Sequence, residues 1–310
     1  MPEVSVIIPT HDRLDVLPEV LQALERQEEP PEFEVLVVDD GSQPATAEFL
    51  RAWRPRYPHR VLSQSPSGPA VARNAGVRAA AGRWVAFLGD DTVPRPDWLR
   101  AHRRAHRERG EGDLAVIGYT GWHPRMRRTR FLDYINEHGL QFGYALIEDR
   151  ERVPFNFFYT SNLSLPRQLL LAEPFDEGFP YPAWEDIECS FRLERRGMRM
   201  VYEPEARVDH FHPTDLARFE DRQEKAGYSA VVFYQRHPEL GPFLGLSPAG
   251  PPPPPRAQRR REILARALQF VPITLPRLWQ ETLRYHYIQG LHRGWRERNG
   301  GTGDTNVYEP

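Results

Sequence analysis

Two adjacent carboxylates, Asp90 and Asp91, follow Gly89 at the end of the apolar run Trp84-Val85-Ala86-Phe87-Leu88. Like charges side by side at the end of a buried strand repel each other and lose hydration. A divalent cation offsets both costs, and hard cations such as Mg2+ and Mn2+ prefer carboxylate oxygen. The pair therefore reads as a metal site, with a solvated turn bearing an acidic helix cap as the plainer alternative. A second pair, Glu185 and Asp186, opens a helix whose apolar face would carry Ile187, Phe191 and Leu193. Carboxylates are stabilised at a helix start in any case, so capping alone would account for them. Further on, His210 and His212 follow a short strand beginning near Met200. Two histidines after two acidic sites are a signal for metal or phosphate binding.

The elements that must position these groups follow from hydrophobic periodicity. Val4 to Pro9 and Val35 to Val38 are unbroken apolar runs, as expected of strands covered on both faces. Val16, Leu17, Val20, Leu21 and Leu24 lie between them at helical spacing. Two buried strands around one helix make a right-handed βαβ unit. The pattern continues with a helix near Thr46 to Trp53, a short strand at Val61-Leu62, an Ala-rich helix from Pro69 to Ala81, and the Trp84 to Leu88 strand. The fold class is α/β, an open and mostly parallel sheet with helices on both faces. Such sheets bind ligands beyond the carboxyl ends of their strands. Thr10, Asp39, Asp40, Asp90 and Asp91 all fall at those ends, which argues for one nucleotide-and-metal site.

The bulk properties are those of a globular chain: 310 residues, 40% apolar, 27% charged, with a formal net charge of -2. That length can bury one large core, or one core plus an appendage. A near-neutral balance gives no footprint for nucleic acid. The single cysteine, Cys189, excludes an internal disulfide and fits a reducing compartment. Lys225 is the only lysine among 41 basic side chains. The first residues enter a strand with no signal-peptide pattern, and no window approaches the roughly 18 uncharged apolar residues of a membrane span. The expected location is the cytoplasm, with peripheral attachment to the inner face of the membrane left open.

The second half is less regular. Residues 119 to 159 are rich in aromatics and carry a basic run at Arg125, Arg127, Arg128 and Arg130. Such a segment suits a lid or binding loop, and equally a helical insert burying its own aromatics. Residues 247–255 read as a stiff proline-rich linker. Residues 256–310 read as a basic amphipathic helical tail, ending in a polar stretch from Gly300 that is expected to lack fixed structure. The basic flank and apolar face suit an anionic membrane, through residues 256–295. They also suit packing on the body of the protein or on a second subunit as a homodimer.

Taken in order, the motifs resemble those of the family 2 glycosyltransferases, which have the GT-A fold. They are Val4-Ser5-Val6-Ile7-Ile8-Pro9-Thr10, Val38-Asp39-Asp40-Gly41-Ser42, Gly68-Pro69-Ala70-Val71-Ala72-Arg73-Asn74-Ala75-Gly76 and Phe87-Leu88-Gly89-Asp90-Asp91. Thr160-Ser161-Asn162-Leu163-Ser164-Leu165 and Phe175-Asp176-Glu177 with Trp184-Glu185-Asp186 complete the set. The resemblance implies a GT-A domain over 1–246, with a nucleotide-binding half of about 1–118 and an acceptor half of about 119–246. It implies an inverting, metal-dependent transfer of sugar from a nucleotide diphosphate sugar to a hydroxyl, in cell-surface polysaccharide or glycolipid synthesis. The acceptor would be a carbohydrate or lipid-linked.

It also implies roles for single residues. Pro9, Thr10, Asp12, Arg13, Asp39, Asp40, Arg73 and Asp90 would hold the donor, with Asp39 accepting from the base. Asp91 and His210 would hold Mn2+ or Mg2+. Asp186 would be the general base with Glu185 beside it, and Trp184 and Asn162 would lie on the acceptor side. Gly89 stands where the family's usual Asp-x-Asp triplet has its first carboxylate, which puts the metal coordination in question. Two rivals differ in class. A sugar-phosphate nucleotidyltransferase should show a glycine-rich loop with a following lysine where this chain has Pro9-Thr10-His11-Asp12-Arg13. A non-catalytic sugar-nucleotide-binding relative should lack the catalytic carboxylates, and both Asp91 and Asp186 are present.

Overall fold

Strands β1 (Val4–Thr10), β2 (Phe33–Asp40), β3 (His59–Gln64) and β4 (Trp84–Leu88) are parallel neighbours, in the order 3-2-1-4. A computed structural model describes residues 1–110, 112–253, 259–270 and 275–299. Beyond β4 the sheet continues through β7 (Asn162–Pro166), β6 (Leu114–Trp122), β8 (Arg199–His210) and β5 (Thr92–Pro94), making eight strands. Here the direction changes. β7 runs antiparallel to β4 and β6, while β6 and β8 are parallel to one another. The unbroken apolar runs have their expected cause. Ile7, Leu36, Val38 and Phe87 pack into one core, while Val6, Ile8, Val35, Val37 and Leu88 pack into another on the opposite face.

The crossover helices are α1 (Leu17–Glu25), α2 (Pro44–Ala52), α3 (Pro69–Ala79) and α4 (Trp98–Arg109). The second half adds α5 (Arg130–Glu137), α6 (Arg167–Ala172), α7 (Glu185–Arg195), α8 (Leu216–Arg236), α9 (Gly241–Leu244), α10 (Arg259–Leu268) and α11 (Pro276–Asn299). Cys189, in the middle of α7, is fully buried, donates its thiol to the Glu173 carbonyl at 3.8 Å, and is pushed up to about 12 by that burial. No helix among the described residues is long and apolar enough to cross a membrane.

In the second half one expectation is corrected, and one alternative for the tail, packing on the body, is met in part. Residues 119–159 are neither a free lid nor a self-contained insert. Phe131 of α5 sets its ring edge-on to Phe219 of α8 and Trp279 of α11, at 5.9 and 5.7 Å, and Tyr134 also packs on Trp279. The tail, too, is largely part of the body, because α11 lies along α8. A Cβ on Gly290 would stand 1.9 Å from the Glu224 carbonyl oxygen, and one on Gly227 would stand 2.0 Å from that of Tyr287. Only glycine lets the two backbones approach so closely. The linker folds back as well: Gly250 lies under Trp295, and His292 Nε2 reaches the Pro252 carbonyl at 2.8 Å. Residues 254–258, 271–274 and 300–310, which include parts of the linker and tail and the polar terminus, lie outside the described residues.

Replacing Gly290 by Ala tests this packing. In a free helix the change favours helix by about 1 kcal/mol, but here the methyl group must push two backbones apart, at about 1–3 kcal/mol or more. The expected outcome is a Tm lowered by several degrees; an unchanged or raised Tm would show that the two helices are not in contact.

Candidate active site

The carboxyl ends of β1, β2 and β4 and the end of β8 converge. β5 pairs with β8 so that Thr92 stands opposite His210, which brings Asp91 beside the histidines. Asp91 Oδ2 lies 3.2 Å from His210 Nε2, 3.1 Å from His212 Nδ1 and 3.3 Å from Arg13 Nη2. Backbone bonds lock the arrangement: the Phe211 N–H donates to the Asp91 carbonyl at 2.7 Å, and Arg13 Nη2 donates to the Phe211 carbonyl at 3.1 Å. His210 is buried, and its ring stacks with those of Trp122 and His212. Burial lowers its pKa, which keeps the imidazole neutral, the form that binds metal.

Burial alone would raise Asp91, but His210 and then His212 hold it well below the usual carboxylate range. Asp90 is pushed the other way, by burial and by the charge of Asp91, against the opposing pull of Arg13, the Thr10 hydroxyl and the His11 N–H. One ligand atom from each of Asp91, His210 and His212 falls within 4.8 Å of the others. This donor set fits a divalent ion.

The second carboxylate pair faces the same cleft. Trp184, immediately before α7, is held at φ +73°, a left-handed conformation that costs a non-glycine residue energy. Its indole N–H donates to the Ala226 carbonyl at 2.9 Å, and its ring packs on Phe233 and Phe243. The following residues are thereby aimed. Glu185 is buried; its Oε1 accepts from Arg73 Nη1 at 2.7 Å, and its Oε2 has no hydrogen-bond partner. Asp186, half-buried, accepts from the Ile187 N–H at 2.9 Å. Capping thus accounts for one bond of this pair, while burial and then the Glu185 charge push Asp186 up to about 7.

Between the two centres stands Arg222 of α8, bonded to Gln141 and lying in the field of Asp186, Asp91 and Glu185. Tyr159 also faces Asp186 and Arg222. Arg222 carried no sequence signal, being one arginine among many on a long helix. His212 was visible as half of a histidine pair, but only its geometry sets it beside His210 as a ligand.

Other expected residues are placed as follows. Pro9 and Thr10 end β1, and Asp39 is the last residue but one of β2, where its Oδ1 accepts from the Ser42 N–H at 3.0 Å. Arg73 reaches Glu185 across the cleft. Two expectations need correction, and a third residue has a scaffold partner besides. Asn162 is fully buried in the sheet: its Oδ1 accepts from Trp98 Nε1 at 2.7 Å and faces His102 Nε2 at 2.9 Å, and its Nδ2 donates to the Ala206 and Tyr119 carbonyls. It holds strands together and cannot touch an acceptor. Asp40 spends both oxygens on Gln64 and on the Ser67 and Gly68 N–H groups, fastening the loop before α3 rather than meeting a donor. Asp12 Oδ1 accepts from the Gln43 N–H at 2.7 Å at the start of α2, and its side chain is a third exposed.

The sequence matches the family model described as glycosyl transferase family 2 over residues 5–166. It is 28% identical to the validoxylamine A glucosyltransferase of Streptomyces hygroscopicus subsp. limoneus over 273 residues, covering 79% of this chain and 59% of that protein. It is 25% identical to the chondroitin synthase of Escherichia coli over 265 residues, covering 76% of this chain and 38% of the synthase. The chain thus spans less than two thirds of the length of these relatives. In structure it resembles the mannosyltransferase PcManGT of Pyrobaculum calidifontis, solved with GDP-Man and Mn2+, at a TM-score of 0.65 and 18% identity, covering 96% of this chain and 88% of that one. It also resembles S. aureus TarS 1-349 in complex with UDP, at a TM-score of 0.56 and 16% identity, covering 96% and 92% of the two chains. These neighbours share the GT-A fold.

Proposed function

Because the chain belongs to glycosyl transferase family 2, we propose that it is a glycosyltransferase acting on a nucleotide sugar, and that it catalyses an inverting, metal-dependent transfer to an acceptor hydroxyl. The observation that carries this reading is the pair of unlike centres facing Arg222: an Asp-His-His donor set on one side, and a carboxylate raised towards neutrality on the other.

Asp91, His210 and His212 would hold the ion. Two imidazoles and one carboxylate suit Mn2+ better than Mg2+, which prefers oxygen alone. Bound there, the ion supplies neutralising charge to the leaving diphosphate. The rest falls to the chain. Pro9, Thr10 and Asp39 line the nucleotide side, and Asp90 meets the ribose or sugar. Arg222 adds positive charge where the diphosphate departs, and Arg13 steadies Asp91. Asp186 takes the proton of the attacking hydroxyl, and a single in-line displacement inverts the anomeric carbon. Arg73 holds Glu185 so that one carboxylate oxygen remains for a sugar hydroxyl. Trp184, with Phe243 at 45% exposure beside it, forms an aromatic wall suited to the apolar face of a carbohydrate acceptor. Cell-surface polysaccharide or glycolipid synthesis is the pathway class that fits.

The direct test is a thermal-shift panel of nucleoside diphosphates and their sugars, each with Mn2+, Mg2+ or EDTA. A metal-dependent rise with one nucleotide is expected, since selective binding stabilises the folded state. No shift with any of them would move the chain to the non-catalytic class. Arg222→Ala should then lower kcat by about 10²-fold, the worth of one preorganised charge at a developing anion. Because the side chain stands in an open cleft, Tm should hardly change, and Arg222→Lys should recover part of the rate. Full kcat in the alanine variant would remove Arg222 from the reaction.

A further inference from the structure

α10 is docked by one face only. Ala265 and Gln269 are buried; Gln269 Oε1 accepts from the Leu216 N–H at 2.8 Å, and Arg266 pairs with Glu220. The opposite face carries Ile263 and Leu264 at 62% and 50% exposure, and Phe270, in the turn just past the helix, is 61% exposed. Ile263, Leu264 and exposed Ala267 follow the i, i+1, i+4 spacing of one helical stripe, and Phe270 follows it in sequence. Apolar side chains so exposed and contiguous mark a contact surface.

Three features point to its occupant. The sequence leading into the stripe is basic, with Arg256, Arg259, Arg260 and Arg261 against the single acid Glu262. The Glu262 carboxylate lies 3.9 Å from His286 on α11, so it is turned towards the body. Secondly, three side chains offer at most a few hundred Å2, well short of the roughly 800 Å2 per partner of a stable protein interface. Thirdly, a helix of about 15 Å is too short to span the roughly 30 Å bilayer core, so it suits a lipid surface rather than a crossing. We propose that α10 lies on an anionic lipid surface, with Ile263, Leu264 and Phe270 entering the interface and the basic sequence before them favouring acidic headgroups. α10 rests on the first turns of α8, the helix that carries Arg222. Its lipid contact therefore brings a membrane-borne acceptor close to the cleft, while not depending on the transfer reading.

The experiment is flotation of the full chain with vesicles of phosphatidylcholine and phosphatidylglycerol in equal parts, and with phosphatidylcholine alone. The chain should float with the mixed vesicles and remain below with the neutral ones. Ile263→Ser/Leu264→Ser/Phe270→Ser together should reduce the floated fraction by about tenfold, and Phe270→Ser alone by less, with Tm and metal-dependent nucleotide binding unchanged. Equal flotation of the triple variant, or a wild-type chain that never floats, would overturn the proposal. A concentration-dependent dimer that disappears in the variant would overturn it too, and would assign the stripe to a second copy. None of these results bears on donor binding, so failure here and failure of the transfer reading are told apart.

Discussion

Asp186→Asn is expected to lower kcat by about 10²–10⁴, the usual worth of a positioned general base, with donor affinity retained. The substitution is nearly isosteric, and the side chain is half-buried at a helix start, so the fold should tolerate it. The pH profile gives a sharper reading. Burial, and then the charge of Glu185, push Asp186 up to about 7, with Arg73 pulling the other way. A base raised in this way is protonated at acid pH and becomes competent only as pH rises. The rate of the wild-type chain should therefore climb through the neutral range and level off above it, rather than being flat from pH 5 upward. Glu185→Gln removes the like charge and releases Arg73, and both changes favour the ionised Asp186. Its acid limb should shift to lower pH, whatever the variant does to the plateau. Transfer by Asp186→Asn at wild-type rate, or an unmoved limb in Glu185→Gln, would take the base role from Asp186.

For Asp91→Ala, the expected result is loss of metal-dependent donor binding, with metal affinity reduced on the order of 10²-fold or more. Asp91 is where His210, His212 and Arg13 meet, so its removal leaves three donors without their shared acceptor. Some stability will go with it. His212→Ala separates the two effects, because His212 is 43% exposed at its side chain and its loss opens no cavity. That variant should keep its Tm and bind Mn2+ about 10–100-fold more weakly. Calorimetry with Mn2+ and whichever nucleoside diphosphate binds the wild-type chain is the measurement. Unchanged affinity in both variants would place the ion elsewhere.

Much of the donor half was legible because parallel strands covered on both faces read as unbroken apolar runs. Trp84 to Leu88 is a strand in the sequence and in the structure alike. Legibility fell at the edges. β3 extends to His59–Gln64 around the short Val61-Leu62 core because an edge strand tolerates polar positions. β8 runs to 12 residues although Glu203, Glu205 and Arg207 interrupt its apolar pattern. Side-chain roles depended on long-range contacts that no local pattern carries. Asn162 and Asp40 lie within site motifs, yet they spend their polar atoms on the scaffold, while Arg222 reaches the cleft only because α8 crosses it. The tail shows the same limit. α10 and α11 both mix arginines with apolar residues, but Gly290 against Glu224 seats α11 on the body while α10 keeps an open apolar face.

Cys189 lies one helical turn from Asp186, sealed inside α7 and lacking any competing thiol in the chain. A thiol reagent attacks only an exposed thiolate, so it must wait until α7 comes away from the core. The unmodified protein therefore contains its own clock. The rate at which it takes up a coloured disulfide reports how often the helix bearing the proposed base lifts from its seat, and slower uptake with donor present would record that seat being tightened.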